Sequence, residues 1–387
     1  MTYYLLPKNS FFLHNHIDIT FNDKLPNIYL SFSLSKYLSN MKEKIDKNSI
    51  DWDNTKKYTN PFEFIHTIVP NKNKSVSKYK PLSRSFFKMI EIMHLLKIDI
   101  DSENPINSFH LAEGPGGFIE ALLELRKNKN DKYIGMTLIN DSDNNVPGWK
   151  KSNIFLSKNK NVIIESGITK DGNLLDILNF KYCFDKYANS MEIITADGGF
   201  DFSHDFSNQE INIANLLFAQ IAFAIIMQKK NGTFILKIFD SFMKHTIDLL
   251  AILSSFYEKV YIVKPNTSRY ANSEKYIVCK NFIFNENSEY YFNLFYHPLN
   301  NMLNNSDKYI ERFLNCDISL YFLSKLQEYN AIFGQQQLEN IYHTLAIIQN
   351  KSKFDKYSNN IKNNIIKCIN WCNKYNIDSY SAESLID

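Results

Sequence analysis

Residues 108–127, SFHLAEGPGGFIEALLELRK, set the tightest limit on what this chain can fold into. A short run suited to a buried strand (Phe109, Leu111, Ala112) meets a glycine-proline-glycine-glycine turn. The turn opens straight into a helical pattern carried by Phe118, Leu122 and Leu125. Strand, glycine-rich turn and helix form the local unit in which backbone N–H groups and a helix N-terminus approach a polar ligand closely. Gly114, Gly116 and Gly117 admit torsions closed to other residues and keep side chains out of the approach. Glu113, at the strand end, is a poor neighbour for a phosphate and a good one for an ammonium or a hydroxyl. A tight turn with no ligand satisfies the same pattern, so the loop needs support from the rest of the chain.

That support lies in the order of elements. Candidate strands at 132–138, 161–165, 192–200, 233–239, 260–263 and 276–280 alternate with helical patterns. The alternation predicts an α/β unit with a largely parallel sheet and an antiparallel strand near its edge. A capping box, S-x-x-E at 207–210, predicts a helix start. The helix after it is apolar almost all round (Ile213, Leu217, Ile221, Ile225), which predicts cover on several faces. Asn231-Gly232 is expected to end it. Ahead of the unit, residues 84–96 have helical spacing, with Phe86, Ile90 and Met93 on one face, Lys88 off it and Glu91 one turn on. Residues 1–80 read as a mostly irregular, substrate-side extension with short helices. Residues 81–284 form the α/β domain, and 285–387 a helical region (308–314, 318–329, 338–349, 357–374) with no cluster that suggests chemistry.

Two positions stand out. EIITADGGF puts Asp197 at the carboxyl end of a strand, where side chains face the crevice of an open α/β sheet. TFILKIF reads as a fully buried strand with Lys237 in its middle, and a buried lysine needs a carboxylate partner or a function. Asp197 is that partner if the two strands adjoin. Between the last two strands, KPNTSRYANSEK is a polar loop with one acid, Glu274. Core salt bridges would account for the same groups about equally well, since structural ion-pair networks have this look too.

A formal net charge of +3 gives no strong basic field, so any RNA contact must come from local clusters such as NKNKSVSKYK at 71–80. The five cysteines (Cys183, Cys279, Cys316, Cys368, Cys372) are odd in number and scattered. This argues for a reducing, intracellular compartment and against a disulfide framework. Cys368 and Cys372 lack a second pair or a nearby His, so they read as core thiols rather than a zinc site. No signal peptide opens the chain, and no apolar run is long enough to span a bilayer.

In order, NPFEFI, the lysine-bearing SFFKM, LAEGPGGFIE, GMTL, TADGGF, FILKIFD and KPNTSRYANSEKYIVCK resemble the FtsJ-like (RrmJ-type) RNA ribose 2′-O-methyltransferases, cap-specific mRNA branch. The resemblance spans roughly 55–280. It implies a Rossmann-like methyltransferase fold: a mostly parallel seven-stranded sheet with one antiparallel strand and helices on both faces. The family's Lys-Asp-Lys-Glu tetrad maps onto Lys88, Asp197, Lys237 and Glu274. The implied cofactor is S-adenosylmethionine, held by Glu113, Gly114, Pro115, Gly116, Gly117, Phe118, Thr137 and Asp197, with Asp171 or Asn173 at the adenine. Glu113 stands where the family often has Cys or Asp, and Asn173 where an acid is common.

The implied substrate is RNA, foremost the first transcribed nucleotide of capped mRNA. Lys56, Lys57, Asn60, Arg84, Lys264, Ser268 and Arg269 flank the motifs as candidate RNA contacts. Methyl transfer itself requires no metal. Ribosomal or transfer RNA is the alternative substrate, and a catalytically silent RNA-binding subunit the alternative role. A nicotinamide oxidoreductase does not fit, because GPGG is not the spaced glycine fingerprint and Lys237 would have no task. The implied setting is cytoplasm or nucleus, with other capping or transcription components as possible partners. Abundant Asn, Lys, Ile and Tyr would also suit a large DNA virus replicating in cytoplasm.

Overall fold

The way strands diverge on either side of Leu111 decides where a site can lie. The computed structural model describes residues 2–9, 13–98, 103–140, 142–143, 146, 148–199, 208–283, 287–350 and 355–386. Among these the strands are β1 Thr2–Leu5, β2 Ile17–Asn22, β3 Asn107–Leu111, β4 Lys132–Met136, β5 Val162–Glu165, β6 Met191–Ala196, β7 Gln228–Ile238, β8 Tyr257–Lys264, β9 Lys275–Phe282 and β10 Tyr309–Leu314. Eight of them share one sheet in the order β1-β8-β9-β7-β6-β3-β4-β5. The run β7-β6-β3-β4-β5 is parallel throughout. β9 lies antiparallel between β7 and β8. This is the Rossmann-like methyltransferase arrangement.

Side-chain alternation along each strand feeds two apolar layers. In β6, Ile194 and Ala196 join a cluster with helices Ala214–Met227 and Lys244–Phe256. Ile193 joins the opposite cluster with helices Ser85–Leu96 and Gly117–Arg126. Helix Ala214–Met227 is buried on nearly every face, as its sequence predicts.

The sheet is larger than expected. Thr2–Leu5 pairs antiparallel with β8, from Thr2 against Lys264 to Leu5 against Tyr261, so there are eight strands and a second antiparallel one. Four residues carry little period-two signal; an open sheet edge with unpaired backbone groups recruits them. Residues 309–314 are a strand, not the expected helix, and pair with β2 in a small separate sheet. Asp248 fixes that strand by accepting the N–H groups of Phe313 and Leu314 and both ends of the Arg312 guanidinium.

The segments expected at 318–329 and 338–349 are one helix, Leu320–Gln349, with the Ser319 hydroxyl accepting from the Phe322 N–H at its start. Asn231-Gly232 does not end the long apolar helix. That helix stops at Met227, and β7 begins at Gln228, whose side-chain amide donates to the Met191 carbonyl across to β6. Ser207 lies outside the described residues. Its expected capping partner Glu210 instead accepts the N–H groups of Phe242 and Met243.

The chain leaves β3 toward β4 and β5, and β6 toward β7, although β3 and β6 adjoin. This is the topological switch point at which open α/β sheets bind ligands.

Candidate active site

β6 and β7 pair with Ala196 opposite Leu236, so the residues that follow, Asp197 just past the end of β6 and Lys237 in β7, fall at the switch point together. The Lys237 ammonium donates to the Asp197 backbone carbonyl (2.7 Å) and lies 3.3 Å from its carboxylate Oδ1. Lys237 does not sit in a fully buried strand as expected: 13% of its side chain is exposed. It is close to the carboxyl end of β7, where the strand meets the crevice. Gly199 leaves room above it, since a Cβ there would stand 3.2 Å from the Lys237 Nζ.

Lys88 and Glu274 form the second pair. Lys88 Nζ lies 2.7 Å from Glu274 Oε1 and 2.8 Å from Oε2, with both side chains enclosed. Ser268 donates its hydroxyl to the same carboxylate at 2.7 Å. Burial alone would push the Glu274 carboxyl upward, but the ammonium groups of Lys88 and Lys237 hold it well below the usual carboxylate range.

Tyr276 joins the two pairs. It is the cross-strand partner of Lys237 in the β7–β9 ladder. Its hydroxyl donates to Asp197 Oδ1 at 3.0 Å and accepts from Lys88 at 3.4 Å. All four tetrad residues therefore lie in one connected network. The sequence does not single out Tyr276, although it stands two residues after Glu274, near the start of β9.

Beside this network lies the loop after β3. Glu113 turns back to the helix it precedes: Oε1 accepts the N–H of Phe118 at 2.6 Å and, more distantly, that of Ile119. Its other oxygen, Oε2, is buried without a partner. Burial, and then the nearby Asp197 carboxylate, raise the Glu113 carboxyl well above its ordinary range. A buried acceptor with no donor is where a cationic or hydroxyl-bearing ligand belongs.

Gly116, at φ 109°, supplies the left-handed turn that starts the helix. A Cβ on Gly114 would collide with the Gly148 carbonyl. Thr137 is nearly buried, and its carbonyl sits directly over Gly172. Ile139 N–H donates to the Asp171 carbonyl, so the loop after β4 meets the 171–173 turn. Within that turn Asp171 Oδ1 accepts from Thr169, from the Asn173 N–H and from Asn179. Asn173 Oδ1 accepts from the Leu175 N–H.

Residues 81–282, just over half of the chain, match the sequence profile of the FtsJ-like methyltransferases. The chain belongs to the FtsJ-like methyltransferase family. Among curated relatives, cap-specific mRNA (nucleoside-2′-O-)-methyltransferase 2 of Drosophila melanogaster is 28% identical over 221 residues, covering 54% of this chain and 31% of that protein. Cap-specific mRNA (nucleoside-2′-O-)-methyltransferase 1 of Trypanosoma cruzi is 30% identical over 214 residues, covering 52% and 57% respectively. The chain thus spans less than two thirds of either relative. A crystal structure provisionally named a ribosomal RNA methyltransferase, from Plasmodium falciparum, has 21% identity and a TM-score of 0.37, covering 53% of this chain and 100% of that one.

The residues flanking the site of this FtsJ-like chain divide by what already holds them. Lys264 is buried, and its ammonium donates to the Asn272 carbonyl, the Asn272 side chain and the Glu274 carbonyl. It braces the loop from inside. Asn60 accepts the Tyr270 N–H and donates to the Lys56 carbonyl. Arg269 pairs with Glu63 through two guanidinium nitrogens. That guanidinium outweighs burial and keeps the Glu63 carboxyl at about 2. Arg84 reaches the Thr267 carbonyl at 3.4 Å, while its Nε is enclosed without a partner. Lys56 pairs with Asp53, and Lys57 lies over the Tyr58 ring at 5.2 Å. Among the described residues no group of three His, Cys, Asp or Glu side chains is placed to hold a metal ion, and no helix is long and apolar enough to cross a membrane.

Proposed function

We propose that this chain methylates a ribose 2′-hydroxyl of RNA, with the first transcribed nucleotide of capped mRNA as its substrate. The observation that carries the reading is the network Lys237–Asp197–Tyr276–Lys88–Glu274 set beside a glycine-rich loop whose Glu113 presents an unpartnered buried oxygen. The relatives' names supply the capped substrate.

S-adenosylmethionine fits the loop and supplies an electrophilic sulfonium methyl group. Glu113 Oε2 would take its ammonium, the 114–117 turn its methionine end, and the 171–173 turn its adenosine end. Since Asp171 Oδ1 already serves its own turn, Asn173, with its amide nitrogen still available, is the better adenine contact.

A ribose hydroxyl is a weak nucleophile, so the protein must hold it in line and manage its proton. Lys237 faces the crevice and takes the 2′-proton or stabilises the developing alkoxide. Asp197 orients Lys237 through two contacts. Lys88 and Glu274 fix Asp197 by way of Tyr276. As a base, Lys237 would carry the 2′-proton from the ribose oxygen out toward solvent. Alignment of two held reactants supplies much of the rest, up to about 7–11 kcal/mol of barrier.

Residues 1–80 and 285–387 shape the substrate side of the 81–284 domain. Lys56, Lys57, Arg84 and Arg269 line the RNA path, while Asn60, Lys264 and Ser268 hold the loops beneath it. The setting is a reducing compartment, in keeping with five unpaired thiols, and other capping or transcription components are candidate partners.

Incubation with labelled S-adenosylmethionine and RNAs differing only in the cap tests the reading. Transfer to the 2′-oxygen of the first nucleotide of capped RNA is expected. Equal transfer to uncapped RNA would move the substrate to another RNA class, and no transfer to any RNA would leave a silent RNA-binding subunit.

A further inference from the structure

Helix Ser85–Leu96 carries two buried charged residues one turn apart, Lys88 and Glu91. Lys88 serves Glu274. Glu91, fully enclosed, accepts three N–H groups: the backbone of Asn266 at 2.7 Å, the backbone of Thr267 at 2.9 Å, and the indole Nε1 of Trp371 at 2.9 Å. Asn266 and Thr267 open the loop that delivers Ser268 and Glu274 to Lys88. Trp371 comes from the far end of the chain, on helix Asp355–Lys374. Its ring also meets Phe87 edge-on, at 5.6 Å and 76°, beside Lys88. The helix itself is tied to the 58–61 segment, by Asn364 on the Tyr58 carbonyl and the Cys368 thiol on the Pro61 carbonyl.

We infer that Glu91 and Trp371 are positioning residues for methyl transfer, through which the C-terminal helix sets where the 265–274 loop holds Glu274 against Lys88. The inference rests on the part given to the Lys88–Glu274 pair in the proposed reaction. One helical turn fixes both ends of that pair: Lys88 directly, and Glu274 through the loop that Glu91 grips. A buried carboxylate is tolerated there because three donors converge on it. Removing one donor, or the charge that gathers them, loosens the loop without touching a reacting atom.

Glu91→Gln and Trp371→Phe in the full chain separate this role from mere support. Gln keeps the volume but turns an amide NH2 toward a backbone N–H. Phe keeps the ring against Phe87 and loses the donor. Amide hydrogen exchange over 265–274 is expected to quicken by about tenfold, the scale of one lost hydrogen bond, with β3 and β6 unchanged. S-adenosylmethionine affinity should stay within about twofold, because no donor-loop contact changes. On capped RNA, kcat should fall by about tenfold or more with KM nearly constant, since small misplacements carry large rate costs.

Unchanged exchange over 265–274 would overturn the inference. So would faster exchange throughout the sheet, which marks support of the fold alone, or an unaltered kcat. If the unsubstituted chain methylates no RNA, the proposed function fails, and the exchange pattern alone decides whether Glu91 and Trp371 set the loop.

Discussion

The Tyr276 hydroxyl lies 3.0 Å from Asp197 Oδ1, and through that contact the Lys88–Glu274 pair reaches the residue that orients Lys237. Both carboxylates, Asp197 and Glu274, are thereby held by groups other than Lys237. Tyr276→Phe keeps the ring packed against Phe118 and removes only the bridge. The loss of two hydrogen bonds, the one given to Asp197 and the longer one taken from Lys88, at about 0.5–1.5 kcal/mol each, predicts a fall in kcat of roughly fivefold to a hundredfold. Steady-state rates at saturating S-adenosylmethionine check this, and the cofactor's affinity should not change.

Lys237→Ala removes the group that faces the crevice. General base or alkoxide stabilisation is worth about 10²–10⁴ in rate, so turnover should fall by at least about a hundredfold. Calorimetric binding of S-adenosylmethionine should remain, because among the described residues no hydrogen bond or ion pair joins Lys237 to the 113–118 loop. Turnover near that of the unsubstituted chain would remove Lys237 from the chemistry.

Glu113→Gln separates ligand binding from stability. Its carboxyl is raised in the folded chain by burial and by Asp197. The folded form therefore binds more protons than the unfolded form between the unfolded carboxyl value, about 4.3, and the raised value, and stability falls as pH rises through that window. Below the window the carboxyl is neutral in both states and costs nothing. The Gln chain is accordingly expected to melt higher than the unsubstituted one at pH 8, with the gap closing as pH falls toward 4. It should also bind S-adenosylmethionine more weakly, having lost the charge for the ammonium. Melting curves across pH and titration calorimetry read the two effects separately.

How much of this was legible in the sequence depends on the distance each signal spans. Asp197 and Lys237 announce themselves locally, as an acid at the end of an apolar run and a lysine inside one. Their adjacency follows from parallel strand order. Glu274 is the one acid in a polar loop, and Tyr276 sits two residues beyond it, yet one tyrosine among 23 carries no mark of its own. The strand at 309–314 is six residues long, too short for periodicity to tell it from a helix, and its strand form depends on Asp248 and β2. The Glu91–Trp371 bond joins residues 280 positions apart. No local pattern encodes it, which is why the C-terminal helices read as having no part in the chemistry.

Two lysines expected on the RNA side are placed so differently that one measurement distinguishes them. Lys57 carries no ion pair among the described residues and lies over the Tyr58 ring, free to meet a phosphate. Lys264 gives its three hydrogen bonds to the loop that bears Glu274. A phosphate contact releases counterions, so Lys57→Ala should reduce the slope of log affinity against log salt by about 0.7 for single-stranded RNA. Lys264→Met should leave that slope unchanged. It strips a donor from the buried Glu274 carbonyl, at roughly 1–3 kcal/mol for that acceptor left unsatisfied, and two more from the half-buried Asn272, and so lowers the melting temperature and kcat together. Filter binding of capped RNA over a salt series, alongside thermal melts, gives both readings. A reduced slope in Lys264→Met would place its ammonium on the RNA after all, and an unchanged slope in Lys57→Ala would take Lys57 off the RNA path.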